Sequence, residues 1–251
     1  VKILLPPSEG KTAPAAGPAV DVGALAFPQL ADAREEVLAS LRTASAAEDA
    51  LTALGVGKSL AAEVEANTRL CTAPVAPAHE VYTGVLYSAM GAADIAPERL
   101  AHVFVSSALF GVVNLTDPIP AYRLSMGTAL PPLGRMRTWW RKRLAPVLDE
   151  AFAGELLLDC RSADYRASWP GRPAQTVTVD VVQVRGGKRT VVSHFAKHTR
   201  GELAGRLLRA DAPLPETPEG IAEAAGRWYE VEYAQPTARK AASLTVVLPE
   251  T

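Results

Sequence analysis

Apolar and polar positions along the chain shift repeatedly between a period of two and a period near 3.6. Val1, Ile3, Leu4 and Leu5 crowd into a short run that ends at Pro6-Pro7, the pattern of a short buried strand. Residues 12–28 are rich in Ala, Pro and Gly and read as a mobile loop. Helical composition follows over 31–42 and 46–66, interrupted at Gly55-Val56-Gly57. The segment TAPVAPAHE (72–80) reads as a linker before VYTGVLYSAM, and AHVFVSSALFGVV (101–113) begins as a β-branched, apolar strand. LTDPIPAYRLSMG (115–127) is a proline-containing loop feeding a short extended piece. Over 133–152, Leu133, Met136, Trp140, Leu144 and Val147 recur at helical spacing, with Pro146 expected to kink or shorten that helix.

ELLLDC (155–160) predicts another short strand. QTVTVDVVQVRGGKRTVVSHF (175–195) alternates, turns at Gly186-Gly187 and alternates again, a hairpin signal. AKHTRGELAGRLLRA (196–210) returns to helical spacing, PETPEGIAEAAGR (215–227) predicts a helix capped by Thr217, and WYEVEY and SLTVVL close the chain as strands. No internal repeat and no sharp shift in composition divides the chain. The expectation is one compact domain over 1–251, of mixed α/β (α+β) class, with a mixed sheet surrounded by helices.

Composition narrows the picture. Hydrophobic residues make up 48% and charged residues 21% of 251 positions, the balance of a globular domain with a substantial core. Twenty-six Lys and Arg against 27 Asp and Glu give a formal net charge of −1, which excludes a uniformly basic surface but not a local basic patch. The two cysteines, Cys71 and Cys160, are too few for a disulfide framework and suit a reducing compartment. The opening VKILLPPSEGK has four apolar residues before two prolines, too short for a signal peptide or a membrane span. A cytoplasmic location is expected, with no membrane partner.

Several clusters carry candidate chemistry. Ser8-Glu9-Gly10-Lys11 follows a strand directly; such a turn aims backbone N–H groups at an anion, with a hydroxyl and an ammonium at hand, or is an ordinary strand-to-loop turn. It lacks the GxxxxGK[ST] spacing of a Walker loop. Ser8-x-x-Lys11 matches the serine–lysine spacing of penicillin-binding enzymes, without their SDN element. His194 and His198 are four apart, a spacing available to zinc, yet no Glu follows His194 as HExxH requires, and no metal or cofactor is expected.

RMRTWWRKR (135–143) sets five basic residues around two tryptophans. With Trp140 on the apolar stripe, Trp139 falls on the other face with Arg135, Lys142 and Arg143, either a stacking surface for nucleic acid or a basic amphipathic helix on the core. Asp159, Arg161, Ser162, Asp164 and Tyr165 follow the strand ELLLDC, where polar working groups collect in sheets flanked by helices. Tyr122 and Arg123 sit in a proline-bounded loop and suit a carboxylate or phosphate. Either cysteine would sense peroxide if its pKa were depressed, although inert buried thiols are common.

LGVGKSLAAEV (54–64) fits the helix-hairpin-helix pattern, and the helix-hairpin-helix-like segment spans 46–66. Val56 stands between two glycines, Ala61 follows the second by four residues and Val64 comes three later. Glycines allow close backbone approach. A proline before Gly55 is missing, since Leu54 stands there, and Glu63 and Glu65 replace a strongly basic second helix. A plain helical turn accounts for the same residues.

At VYTGVLY (81–87), SSALFGVVNLTDPIPAYRLSMG (106–127), LLLDCRSADYRASW (156–169) and SHFAKHTRG (193–201) the chain resembles the YaaA peroxide-stress family, and ILLPPSEGKT (3–12) is similar to that family's N-terminus. The likeness runs from residue 3 to about 209, with Pro120 to Gly127 its most specific block. The resemblance implies survival of hydrogen peroxide, limitation of free intracellular iron and binding of double-stranded or distorted DNA. It also implies a compact mixed α/β body carrying a helix-hairpin-helix element beside a positively charged cleft. Ser8 and Lys11, Tyr82, Thr83 and Gly84, Ser107 and Gly111, Tyr122 and Arg123, Ser162 and Tyr165, and Lys197, Arg200 and Gly201 match the family's blocks.

Two classes of function follow. In the first, a DNA-binding stress protein offers Gly55, Gly57 and Lys58 to a phosphate, with Arg135, Trp139, Lys142, Arg143, Lys197 and Arg200 extending the contact. In the second, an enzyme acts on a small anionic or nucleotide-like ligand in a cleft of Ser8, Glu9, Lys11, Tyr82, Arg123, Asp159, Tyr165 and Lys197. There Arg123 and Lys197 hold the anion, and Glu9 or Asp159 serves as acid or base.

Overall fold

Runs of valine and leucine without polar alternation belong in strands buried on both faces, and such runs form the centre of the sheet. A computed structural model describes residues 1–185, 188–191 and 193–249. The strands are Lys2–Leu5 (β1), Ala76–Pro77 (β2), Val103–Ser107 (β3), Gly111–Asn114 (β4), Pro118–Ile119 (β5), Ala129–Leu130 (β6), Gly134–Arg135 (β7), Leu157–Asp159 (β8), Thr176–Arg185 (β9), Lys188–Val191 (β10), Glu230–Ala234 (β11) and Ala242–Leu248 (β12). The main sheet runs β11-β12-β9-β8-β1-β3-β4, with β10 also paired to β9. Its centre, β12-β9-β8-β1-β3, is parallel throughout, while β4 and β11 close the two edges antiparallel. The predicted hairpin is β9 with β10; its turn at Gly186-Gly187 lies outside the described residues.

The helices are Ala31–Ser45 (α1), Ala50–Leu54 (α2), Ala61–Ala66 (α3), Ala78–Val81 (α4), Val85–Met90 (α5), Pro97–Leu100 (α6), Met136–Ala151 (α7), Ala163–Ser168 (α8), Ser193–Arg209 (α9) and Pro218–Gly226 (α10). The protein is one mixed α/β domain around one extended core, with a small second cluster of Val181, Ala196 and Val246. The expected linker, residues 72–80, holds β2 and most of α4 and leads into α5. Helix α7 continues through Pro146 instead of ending there. The carbonyl deprived of a donor belongs to Lys142, an exposed residue open to solvent. Thr217 caps α10 as expected, its hydroxyl oxygen accepting from the Gly220 amide at 3.0 Å.

Residues 12–28 are pinned rather than loose. The buried Arg34 guanidinium donates to the carbonyls of Val22 (2.9 Å), Phe110 (3.1 Å) and Val112 (2.9 Å), and Asp117 accepts from the Ala26 amide at 2.9 Å. Composition alone signals a coil; it does not show that Arg34 nearby and Asp117 far along the chain fasten it. Two glycines set the packing of α9 on α5: a Cβ at Gly201 would overlap the Leu86 carbonyl, and one at Gly205 the Met90 carbonyl. Among the described residues, no helix is long and apolar enough to cross a membrane.

Candidate functional site

The chain leaves β1 toward β3 on one side and leaves the adjacent β8 toward β9 on the other. Neighbouring parallel strands whose connections diverge open a crevice beyond their carboxyl ends, where sheets of this kind hold ligands. The loops after β1 and β8, residues 6–11 and 160–166, wall such a cleft here, with a volume of about 1250 Å³. Ser8, Glu9, Lys11, Arg123, Tyr165, Lys197 and Arg200 all line it, and so do Leu54, Gly55 and Val56 of the glycine hairpin. The polar cleft and the hairpin, rival centres in the sequence, therefore share one cavity.

The loop after β1 is stitched to the α4–α5 junction. The Ser8 hydroxyl donates to the Thr83 carbonyl, the Thr83 amide to the Gly10 carbonyl (3.3 Å) and the Thr12 amide to the Val81 carbonyl (2.9 Å). Gly84 permits this approach: its φ is 98°, and a Cβ there would meet Ser8 Oγ at 3.1 Å. Lys11 is thereby held half-buried, with Nζ donating to the Ser8 carbonyl at 2.7 Å and lying 4.3 Å from the Tyr122 ring centre and 5.7 Å from that of Tyr82. Arg123 reaches the same loop through the Glu9 carbonyl at 3.2 Å and lies 3.7 Å from Glu63 of α3. Burial first, and then the Arg123 charge, lower the Lys11 pKa to about 7.

Tyr82 lies under this floor rather than in the cleft. It is 1% exposed, and its hydroxyl joins that of Tyr122 at 3.0 Å, which joins Ser107 Oγ at 2.8 Å. Ser107 Oγ accepts from the amides of Leu109 (3.2 Å) and Phe110 (3.0 Å), and burial raises both phenols. Tyr165 reaches the cleft wall with its phenol likewise raised by burial.

Asp159 does not reach the cleft. It is fully buried, with Oδ1 accepting from Arg161 Nε (2.9 Å) and from the Arg161 amide (3.0 Å), and Oδ2 from Nη2 (2.8 Å). This fork holds Arg161 and shapes the loop after β8, so Glu9 is the candidate carboxylate that faces a ligand. Arg200 is committed to the Val179 carbonyl (3.0 and 2.7 Å) and sits 3.8 Å from Asp180, whereas Lys197 is exposed on the wall.

In the hairpin, Gly55 is left-handed (φ 67°) and closes α2: its amide donates to Thr52 (3.1 Å) and that of Val56 to Leu51 (2.9 Å). Those two amides are used within the turn. Gly57 is extended at φ −77°, a conformation open to any residue, and Gly57 and Lys58 are exposed outside the cleft lining.

The basic tryptophan segment lies elsewhere. Arg135, Trp139, Lys142 and Arg143 line a separate depression of about 360 Å³. Trp139 is 7% exposed, packed edge-on against Trp140 at 4.8 Å and covered by the Arg143 guanidinium at 3.6 Å. The open stacking face expected from helical spacing is therefore absent, because both indoles turn into the core. His198 faces Glu202 at 3.9 Å, the His194 side chain lies outside the described residues, and among the described residues no group of three His, Cys, Asp or Glu is placed to hold a metal.

Burial raises the Cys160 thiol to about 12, while Cys71 is exposed beside Arg42. Alkylation of the folded protein near neutral pH should therefore modify Cys71 and spare Cys160. Peptide mass spectrometry reads this, and rapid labelling of Cys160 would contradict the placement.

Four charged lining residues were not singled out by sequence: Arg166, Asp180, Arg189 and Glu232. Arg166 lies in LLLDCRSADYRASW, and its place four residues after Ser162, the N-cap of α8, is the signal the sequence offers. The other three come from β9, β10 and β11, whose alternation does not say which face meets the cleft. Lys11, Arg123, Arg161, Arg166, Arg189, Lys197 and Arg200 outnumber Glu9, Asp164, Asp180 and Glu232 along the lining. Arg161 is engaged by Asp159, which Arg166 also approaches at 3.8 Å, and Arg189 by Glu232. Arg200 lies near Asp180 and Arg123 near Glu63, so among the described residues Lys11 and Lys197 are the lining cations without an ion pair.

The sequence profile of the family described as "Peroxide stress protein YaaA" matches residues 1–234. The chain belongs to the YaaA peroxide-stress family. The match extends past the blocks that end near residue 209 and takes in α10 and β11. A UPF0246 protein of Streptomyces coelicolor is 44% identical over 244 residues, covering 93% of each chain. One from Corynebacterium efficiens is 44% identical over 236 residues, 91% of this chain and 94% of the relative. A more distant UPF0246 protein of Bacteroides thetaiotaomicron is 26% identical over 162 residues, 60% of this chain and 63% of its own.

Proposed function

We propose that this YaaA-family chain is a cytoplasmic DNA-binding protein of the peroxide stress response that holds the phosphate backbone in its main cleft. The observation that supports the reading most is the convergence of Leu54–Val56 with Lys11, Arg123, Arg166 and Lys197 around one cavity. A local surplus of basic side chains in a concave site raises the local concentration of a polyanion even when the net charge is −1. The contacts are of the phosphate-positioning kind, which carry little sequence information. Distorted duplex, whose backbone bends into a cleft at lower cost, is the favoured form.

The same reading connects DNA to iron. Neutralising phosphates releases condensed cations, and iron(II) among them is the ion that turns peroxide into hydroxyl radical beside the strand.

Anisotropy of a labelled duplex tests the proposal. Affinity should fall steeply between about 50 and 200 mM salt, and Lys197→Ala should weaken unrelated sequences alike while reducing the salt slope by about 1. A flat salt response, or a Lys197→Ala protein that binds as the wild type does, would contradict it.

A further inference from the structure

Lys11 is an unusual lysine for a surface that only attracts anions. Its Nζ is half-buried on the cleft floor, between a backbone carbonyl at 2.7 Å and two tyrosine ring centres at 4.3 and 5.7 Å. The described residues give it no ion pair, and its cationic neighbour Arg123 faces the same loop. A lysine that is desolvated beside another cation is the environment in which the amine becomes a nucleophile toward carbonyl carbon. Its pKa of about 7 leaves a large fraction unprotonated near neutral pH. A purely phosphate-binding lysine needs no such environment, and Lys197, exposed on the same wall, supplies that role.

We infer that Lys11 forms an imine with an aldehyde carried by a phosphate-bearing ligand seated in the cleft. The inference rests on the proposed reading of the cleft as a phosphate site and extends it to a covalent step. The Nζ lone pair attacks the aldehyde carbon, a C–N bond forms and the carbonyl π pair moves to oxygen, giving a carbinolamine. That oxygen receives the nitrogen's two protons in turn by way of the Glu9 carboxylate and leaves as water, while the nitrogen lone pair forms the C=N bond. One aldehyde and one amine thus become one imine and one water, with no change in oxidation state. Glu9 is two residues from Lys11, lines the same cleft, and its charge acts on the Lys11 ammonium. Arg123 and Lys197 would hold the adjoining phosphate.

Aldehydes next to phosphates have two sources that this chemistry suits equally: the ring-opened sugar of an abasic site in DNA, and a small phosphorylated aldehyde. Incubation of the protein with sodium cyanoborohydride, which reduces an imine to a stable secondary amine, traps the adduct in either case. One arm uses a duplex with a single abasic site, and the other uses glyceraldehyde 3-phosphate. Tryptic mass spectrometry of the wild-type protein should place the modification on Lys11, and the arm that yields it names the source. Lys11→Arg, checked for folding by circular dichroism, should lose that adduct.

No Lys11 adduct in either arm, or labelling spread over surface lysines and unchanged in Lys11→Arg, overturns the inference. Salt-dependent binding of intact duplex is measured beside it. Binding without an adduct overturns the covalent step alone. A Lys11 adduct with the small aldehyde but no duplex binding supports the lysine chemistry and overturns the DNA reading.

Discussion

Arg161→Met should destabilise the protein by about 3–5 kcal/mol, the cost of leaving a buried charge without its partner. Asp159 and Arg161 are 0% and 1% exposed, and the guanidinium also donates to Ser106 Oγ (3.2 Å) and the Trp169 carbonyl (2.8 Å). Removing it leaves Asp159 with the residue-161 amide on Oδ1 and only Arg166, 3.8 Å away, near Oδ2, and frees the loop that carries Ser162 to Arg166 along the cleft. The midpoint of urea unfolding reads the loss. Replacing both partners, as in Asp159→Leu/Arg161→Met, should recover a large part of it, because no buried charge is then unpaired. A single variant within about 0.5 kcal/mol of wild type, the range of ordinary surface changes, would show that the fork contributes little.

Gly201→Ala should also destabilise, by about 1–3 kcal/mol, the usual cost of forcing extra atoms into a packed contact. Helix propensity argues the other way, since alanine in a helix interior gains about 1 kcal/mol over glycine. Sterics decide here, because the new Cβ would overlap the Leu86 carbonyl, a backbone atom that no rotamer change can move. Helix α9 must then tilt off α5, and Lys197 and Arg200 tilt with it. The expected result is a lower melting temperature together with weaker duplex binding. A stabilised Gly201→Ala protein would mean that α9 is not held against α5 as the structure has it.

Much of the fold was legible because local pattern and burial agree in its elements. The unbroken apolar runs became β1, β3 and β8 of the parallel centre, the alternation on either side of Gly186-Gly187 became β9 and β10, and Thr217 capped α10. What pattern misread depended on side-chain partners that periodicity does not display. Residues 12–28 look loose until Arg34 and Asp117 fasten them, and Trp139 looks exposed until Arg143 and Trp140 cover it.

The site divides in the same way. Ser8, Glu9, Lys11, Arg123, Tyr165 and Lys197 line one cleft because they follow strand ends or face them from packed helices. Asp159 shares that signature yet points into the sheet, since the polar residue ending a strand can turn to either side. The merging of Gly55 with the cleft had no local signal, as it follows from how α2 and α3 fold back toward Arg123.

Hydrogen exchange with and without a distorted duplex tests the central claim most directly, since it shows where the duplex sits. Slower exchange is expected in three stretches at once: 8–12 after β1, 55–58 at the hairpin and 161–166 after β8. Slower exchange confined to 133–143 around the tryptophan depression, with those stretches unchanged, would contradict it.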